Sequence, residues 1–222
     1  MRVLVTGFEP FGGETINPSW QVAQALDGQH IGGAQVVARE LPCVFGTALR
    51  HLEAALDEFN PALVIALGQA AGRCDLNFER VAINLDDAPC ADNAGAQPID
   101  CRVIEGAPAA YFTSLPVKVI VAALRERGIP ASLSMSAGGF VCNHLFFGLL
   151  HRLTTRPGVR GGLVHLPLLP EQAARHPGQP SLPLAVMLDG IRAAIDIGLA
   201  TDAPRTTISP AGSGGAAVQG VL

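Results

Sequence analysis

The sequence has few charged residues and no run of lysine or arginine. Charged residues make up 15% of its 222 positions, the formal net charge is −4, and the isoelectric point is near 5.8. Surfaces that bind nucleic acid are usually basic, and anionic membranes attract basic segments. We therefore predict that neither nucleic acid nor a membrane is a partner of this protein.

Long apolar runs and paired cysteines are also absent. No apolar stretch approaches the roughly 20 residues that span a bilayer, and the opening MRVLVTG segment lacks the pattern of a signal peptide. We predict a soluble, cytoplasmic protein. The cysteines form no CxxC pair and are odd in number, which excludes the usual zinc spacings and argues against a disulfide framework: Cys43, Cys74, Cys90, Cys101 and Cys142.

Apolar segments of strand length alternate with segments of helical periodicity along most of the chain. We predict strands at 2–6, 34–41, 61–68, 131–136 and 159–169, and helices at 18–26, 47–59, 116–128 and 181–200. Asn17 and Ser181 are the expected N-caps of the first and last helices. This alternation predicts an α/β fold, a single-domain α/β/α sandwich with a mostly parallel central sheet.

The middle of the chain has a different pattern. Residues 77–88 alternate in the manner of a strand, a loop rich in Asp, Asn, Gly and Pro follows, and a short strand is expected around CRVIE at 101–105. We predict a β-hairpin excursion from the sandwich here. The single domain then covers residues 1–202, and a low-complexity tail of small residues follows at 203–222.

The glycine-rich turn TGFEPFGGE after the first strand does not fit a phosphate-binding loop. Gly13 and Glu14 stand where that motif needs lysine and Ser or Thr, and a carboxylate there would repel phosphate. Phe8 and Phe11 lie in the same turn, at the sheet edge where open α/β folds bind ligands. They either fill the core or form the walls of a site for a small, flat, mostly apolar ligand.

A second turn at the same edge, GQAAGR, contains Gln69 directly after the predicted strand at 61–68. Gln69 is either an ordinary turn residue or a side-chain amide that binds a ligand amide through paired donor and acceptor hydrogen bonds. The segment alone does not decide between the two.

Cys142, in SAGGFVCNHLFFGLLH, lies where a glycine turn leads from a predicted strand into a helix. One hypothesis is a buried structural cysteine, because free cysteine is among the most buried residue types. The other is a nucleophile, because the free N–H groups and the dipole at a helix N-terminus stabilise a thiolate and an oxyanion. The second hypothesis requires a histidine base and a group that orients it.

Of the six histidines, His165 fits the role of the base best. It lies near the end of the predicted strand at 159–169, at the sheet edge expected for Cys142. His144 and His151 share the helix of Cys142 but lack the spacing of a helical zinc pair, so the sequence predicts no metal site. His144 is expected to point away from Cys142 around that helix.

An acid on a neighbouring strand is needed to orient the base. Glu79 in FERVAIN is the candidate, because apolar neighbours favour its burial and a buried carboxylate needs a partner. The alternative is a structural salt bridge with Arg80 or Arg73. Asp86 and Asp87 compete with Glu79 for the orienting role.

These segments together resemble pyroglutamyl peptidase I, a family of cysteine peptidases also called pyrrolidone-carboxylate peptidases. The resemblance rests on TGFEPFGGETINPSW, GQAAGR with FERVAIN, SAGGFVCNHLFFGLLH and VHLPLLPEQ, in this order, and covers the chain to about residue 200. It implies a cytosolic α/β/α sandwich that removes the N-terminal pyroglutamyl residue from peptides. It also implies frequent assembly as a homotetramer and no metal or organic cofactor.

The resemblance implies roles for particular residues as well. The catalytic set falls on Glu79, Cys142 and His165. The pyrrolidone ring is held by the side chains and backbone of Phe8, Phe11, Gln69, Phe140 and Val141. Pro89 and Cys90 depart from the family, because some relatives carry arginine after the Asp-Asp-Ala segment, and any role of that arginine is not available here.

Two other functions remain open from the sequence. A phosphorylase-like transferase could use a similar sandwich, although the Gly13–Glu14 pair disfavours phosphate. A non-catalytic binding protein for pyroglutamyl peptides would keep the two phenylalanines and Gln69 but would not need a reactive thiol. Rapid labelling of Cys142 by iodoacetamide well below pH 8, as expected for a thiolate at a helix N-terminus, would separate the enzyme from these alternatives.

Overall fold

The computed structural model describes residues 1–201, in which apolar periodicity forms the predicted alternation of strands and helices. The predicted domain end at residue 202 and the predicted tail at 203–222 lie outside the described residues. The elements are β1 (Arg2–Phe8), α1 (Pro18–Leu26), β2 (His30–Ile31), β3 (Ala34–Leu41), α2 (Thr47–Phe59), β4 (Leu63–Gln69), β5 (Leu76–Glu79), β6 (Val81–Ile83), β7 (Ala110–Phe112), α3 (Val117–Glu126), β8 (Ala131–Ser134), α4 (Val141–Leu153), β9 (Arg160–Leu166), α5 (Pro170–Ala173) and α6 (Leu184–Ala200).

The central sheet of the described residues has seven strands in the order β2-β3-β1-β4-β9-β5-β8. Strands β3, β1, β4 and β9 are parallel neighbours, as short strands linked by helices predict. Strand β5 runs antiparallel to β9 and parallel to β8, and β2 runs antiparallel to β3. The prediction of an α/β fold with a mostly parallel central sheet is therefore confirmed.

Each central strand is buried on both faces, because successive side chains alternate between two apolar layers. In β4, Leu63, Ile65 and Leu67 belong to the layer that α1, α3 and α6 cover, whereas Val64 and Ala66 belong to the layer of α2 and α4. Helices therefore lie on both sides of the sheet, which is the predicted sandwich.

The hairpin excursion exists, but its strands differ from the predicted ones. The predicted strand at 77–88 is interrupted at Arg80: β5 stays in the main sheet, and β6 pairs with β7 in a separate two-stranded sheet. The predicted strand at 101–105 is wrong, since only a bridge between Asp86 and Cys101 forms there. The reason is that Asn84 bonds the backbone of Ile104 through both its amide atoms, which holds that segment in a turn.

The helix termini test the two predicted caps. Asn17 caps α1, because its Oδ1 accepts the Ser19 N–H at 3.0 Å and Pro18 occupies the first helical position. Ser181 does not cap the last helix: α6 begins at Leu184 after Pro183, while Ser181 forms a bridge with Leu168. In the part of the chain described by the structure, no helix has the length and apolar character needed to cross a membrane.

Candidate active site

The turn before α4 sets the position of Cys142, the second residue of that helix. Gly138 has a positive φ of 80°, which glycine adopts without strain, and Gly139 lies close to the backbone of Asp87. A Cβ at Gly139 would be 2.7 Å from the Asp87 carbonyl oxygen, and the Gly139 carbonyl accepts the Asp87 N–H at 2.9 Å. The backbone at Gly139 is therefore held against Asp87 immediately before α4, the helix that contains Cys142.

Gly68 in β4 is the point at which Cys142 and His165 converge. A Cβ built at Gly68 would be 2.9 Å from Cys142 Sγ and 3.1 Å from His165 Nε2. Strand pairing explains why His165 is close to Gly68, because the two residues are opposite each other in the β4–β9 register. The absence of a side chain at Gly68 leaves the space in which the thiol and the imidazole lie next to each other.

Glu79 holds the other nitrogen of the His165 ring. Its Oε1 lies 2.8 Å from His165 Nδ1, and Glu79 and His165 are 0% and 5% exposed. In the antiparallel β5–β9 pair, Asn77 is opposite His165, so Glu79 reaches His165 diagonally on the same face. The Nδ1–H group donates to the carboxylate, which leaves Nε2 as an acceptor on the side of the thiol.

The structure separates Glu79 from its competitors. Asp86 is buried, but its Oδ2 lies 2.8 Å from Nδ1 of His144, whose Nε2 accepts the Gly46 N–H at 3.1 Å. Asp87 is exposed. The salt bridge of Glu79 with an arginine, the structural alternative, does not form among the described residues, since the ion pair of Glu79 is with His165.

Burial controls the protonation state of the candidate nucleophile. It raises the pKa of the Cys142 thiol, and the nearby Cys43 thiol and Glu79 carboxylate raise that pKa further. This direction is opposite to the lowering that we expected at the helix N-terminus. A helix terminus stabilises a nearby charge by about 0.3–1 kcal/mol, which corresponds to less than about one pKa unit, so a moderate loss of solvation outweighs it.

A cavity of about 350 Å³ opens beside the thiol. Six of the candidate site residues line it: Phe8, Phe11, Gln69, Phe140, Cys142 and His165. Asn17, Cys43, Ala70, Arg73 and the turn before α4 complete the lining. Val141 is fully buried in the apolar layer of α2 and α4 and does not line the cavity with its side chain. Phe11 and Phe140 form one aromatic wall, with ring centroids 6.0 Å apart.

Sequence reasoning missed a polar cluster behind this cavity. Gln172 in α5 is fully buried, and its Nε2 donates to Gln69 Oε1 at 3.0 Å. Glu14, the residue that disfavoured phosphate, accepts hydrogen bonds from Arg175 at 2.6 Å and His176 at 2.5 Å. The PEQ segment at 170–172 carried a signal for Gln172, because it follows the predicted strand at 159–169, and the segment after a parallel strand lies near the ligand-binding edge.

No group of three or more His, Cys, Asp and Glu side chains within residues 1–201 has an arrangement that could hold a metal ion. The described residues that converge are a thiol, an imidazole, a carboxylate and an amide beside aromatic rings. This set of groups can transfer an acyl group, because the thiol is a nucleophile, the imidazole is a base with one unpaired nitrogen, and the carboxylate orients and stabilises that base.

Comparisons with known proteins give a consistent result. The sequence model of the Pyroglutamyl peptidase family matches residues 1–201. The chain is 58% identical to the pyrrolidone-carboxylate peptidase of Cupriavidus necator over 203 residues, which cover 90% of this chain and 94% of the relative. It is 58% identical to the pyrrolidone-carboxylate peptidase of Klebsiella pneumoniae over 197 residues, which cover 89% and 92%.

Solved structures of two related proteins are similar throughout the fold. The crystal structure of pyroglutamyl peptidase I from Bacillus amyloliquefaciens superposes with a TM-score of 0.88 at 44% identity, covering 90% of this chain and 97% of that one. A mutant pyrrolidone carboxyl peptidase from Pyrococcus furiosus gives a TM-score of 0.87 at 44% identity, with coverage of 90% and 98%.

The raised pKa of the Cys142 thiol predicts slow alkylation at neutral pH. Less thiolate is present below the raised pKa, so the rate with iodoacetamide should keep increasing with pH beyond about 8.5, the pKa of a free cysteine. Mass spectrometry of the Cys142 peptide after timed labelling measures this rate, and the exposed Cys74 of the same chain is the internal reference. A rate that is already constant at about pH 7 would contradict the prediction.

Proposed function

The chain belongs to the pyroglutamyl peptidase family, and on that premise we propose which of its residues carry out the reaction. It is a cysteine peptidase, a hydrolase that removes the N-terminal pyroglutamyl residue from peptides. The raised pKa of the Cys142 thiol does not separate the enzyme from its alternatives, but the family model and the relatives do, since they are peptidases and give no support to a phosphorylase-like transferase or a non-catalytic binding protein. The observation that carries the residue assignment is the convergence of Cys142 Sγ and His165 Nε2 beside Gly68, with Glu79 on Nδ1.

In the first step, the Cys142 thiol gives its proton to Nε2 of His165, and the resulting thiolate attacks the carbonyl carbon of the pyroglutamyl residue. As the S–C bond forms, the carbonyl oxygen becomes an oxyanion. The N–H groups at the first turn of α4, which have no acceptor within the helix, are the donors that we assign to this developing charge. When the C–N bond breaks, the imidazolium gives its proton to the leaving amine, and a thioester with Cys142 remains.

In the second step, water hydrolyses the thioester. His165 Nε2 accepts a proton from the water as its oxygen attacks the acyl carbon, and it returns that proton to the departing sulfur. Both steps create a transient imidazolium next to the buried Glu79 carboxylate. Glu79 is therefore the orienting and stabilising group, since its negative charge lies 2.8 Å from Nδ1.

The cavity walls suit a pyroglutamyl ring, which is flat and neutral. Phe8, Phe11 and Phe140 supply apolar and aromatic surface, and the amide of Gln69 supplies the polar contact. The backbone around Phe140 and Val141, at the start of α4, provides further hydrogen-bonding groups for the lactam. A proline ring lacks the lactam carbonyl, so a site that hydrogen-bonds this group discriminates against it by up to about 10⁴-fold.

We also propose that the protein assembles as a homotetramer and is located in the cytoplasm. Exposed apolar side chains support an assembly that covers them, because Phe112, Met135 and Val119 expose 69%, 67% and 52% of their surface. The free state of all five cysteines is typical of a reducing compartment.

Replacing Cys142 should abolish hydrolysis and leave the fold intact. We expect Cys142→Ala to give no detectable release of a chromogenic amine from its pyroglutamyl conjugate, and Cys142→Ser to retain a trace at most, because a hydroxyl is a weaker nucleophile. Cys74→Ala, at an exposed position, is the matched control and should keep wild-type kinetics. Hydrolysis near the wild-type rate by Cys142→Ala would eliminate the mechanism.

Replacing Glu79 by glutamine should weaken hydrolysis without erasing it. The amide cannot stabilise the imidazolium, so kcat should fall by about 10²-fold or more, while KM changes little. The exposed Asp87→Asn is the matched carboxylate control and should stay within about twofold of wild type. Unchanged kinetics of Glu79→Gln would move the orienting role to another acid.

The assembly is tested by light scattering coupled to size exclusion. A homotetramer gives four times the 23.0 kDa chain mass, independent of dilution over the working range. Phe112→Ser should shift the population towards smaller species, because it removes apolar area from the surface that the assembly covers. A monomer mass for the wild-type protein refutes the tetramer, and fractionation of producing cells tests the cytoplasmic location.

A further inference from the structure

The side-chain amide of Gln172 has only one possible orientation. Its Oε1 lies 3.0 Å from the backbone nitrogen of Leu169, which can only donate. Its Nε2 lies 3.2 Å from the Ile16 carbonyl and 3.3 Å from the Glu14 carboxylate, which only accept. Backbone and carboxylate groups therefore fix the oxygen on one side of Gln172 and the NH₂ group on the other.

Glu14 is held as an acceptor by its own neighbours. The hydrogen bond from His176 lowers the pKa of the Glu14 carboxyl most, burial opposes this, and Arg175 and Gln172 lower it further. The carboxylate thus stays ionised and keeps the Gln172 NH₂ group turned towards it. This anchoring comes from residues that line the neighbouring cavity and not from the catalytic set.

The fixed amide of Gln172 determines the orientation of Gln69. The Gln172 NH₂ group lies 3.0 Å from one amide atom of Gln69, and that atom has to be the acceptor Oε1. Within residues 1–201 no protein acceptor pairs with the Gln69 NH₂ group, and Gln69 lines the catalytic cavity. The donor end of Gln69 is therefore the end available to a ligand.

We propose that Gln172 is a positioning residue that sets substrate specificity, by fixing Gln69 so that it presents N–H donors to the substrate. The inference rests on the proposed substrate role of Gln69 and goes beyond it. The site then selects a ligand carbonyl oxygen, the lactam C=O, and gains nothing from the lactam N–H at this position. Ring ligands with a carbonyl acceptor bind, whether or not they carry an N–H group.

Gln172→Met tests the positioning role, because it keeps the side-chain length and removes both hydrogen-bonding atoms. With the Gln69 amide free to rotate, KM for a pyroglutamyl substrate should rise about three- to tenfold, the range for one lost neutral hydrogen bond, and kcat should change less than about twofold. Gln179→Met, at an exposed glutamine in the loop after α5, is the matched control. Inhibition by 2-pyrrolidone and by cyclopentanone, which lacks the N–H, should weaken in parallel.

A double-mutant cycle separates positioning from general destabilisation. If Gln172 acts through Gln69, Gln172→Met should have no further effect on KM in a Gln69→Leu background. Additive effects in the double variant, or an unchanged KM in Gln172→Met, would overturn the inference. If Gln69→Leu itself leaves KM unchanged, the proposed substrate role of Gln69 is wrong, and the inference falls with it.

Gln69→Glu tests the orientation with Gln172 intact, so it does not depend on the folding of a Gln172 variant. The new carboxylate still accepts from Gln172, but it turns an acceptor towards the substrate carbonyl. We expect a KM increase larger than that of Gln69→Leu, because two acceptors repel each other where the wild type has a donor. A Gln69→Glu enzyme that binds 2-pyrrolidone as well as wild type would show that the acceptor end faces the ligand.

Discussion

The geometry of the candidate active site depends on the hydrogen bond between the buried Glu79 carboxylate and Nδ1 of His165. A fully buried carboxylate is costly unless it is paired, and the 2.8 Å contact supplies that partner. The same contact places the ring proton on Nδ1 and frees Nε2 for the thiol. Since Gly68 has no side chain, the thiol of Cys142 lies beside that nitrogen. One hydrogen bond thus fixes tautomer, ring orientation and proton acceptor together.

A second carboxylate–histidine pair differs from the first at one ring nitrogen. Asp86 and His144 are as close as Glu79 and His165, at 2.8 Å, and both residues are buried. The difference lies at the other ring nitrogen, which in His144 accepts the Gly46 N–H. His144 therefore fastens the start of α4 to the loop before α2, and it has no nitrogen left for a proton transfer. A structural histidine and a proposed base therefore differ in whether the second ring nitrogen already has a protein partner.

The hairpin excursion contributes to the cavity through Asp92. Burial acts to raise the pKa of this carboxyl, but hydrogen bonds from the N–H groups of Phe45, Ala96 and Ala94 lower it overall. The N–H of Phe45 donates to Asp92 Oδ2 at 2.9 Å, and the Phe45 ring packs edge-on against Phe140 at 5.5 Å. The loop after β3, the excursion and the aromatic wall beside Cys142 are therefore held as one unit.

Local patterns in the sequence determined the layers of the sandwich, the Asn17 cap and the candidates at the sheet edge, because periodicity, capping and strand-end positions depend on near neighbours. They did not determine the direction of β5, the break at Arg80 or the failure of Ser181 as a cap, since pairing with distant segments decides these. The pKa of Cys142 and the orientation of Gln69 likewise depend on burial and on Gln172, which lies 103 residues away in the chain. Desolvation and hydrogen-bond polarity are properties of the packed site, and only tertiary structure creates them.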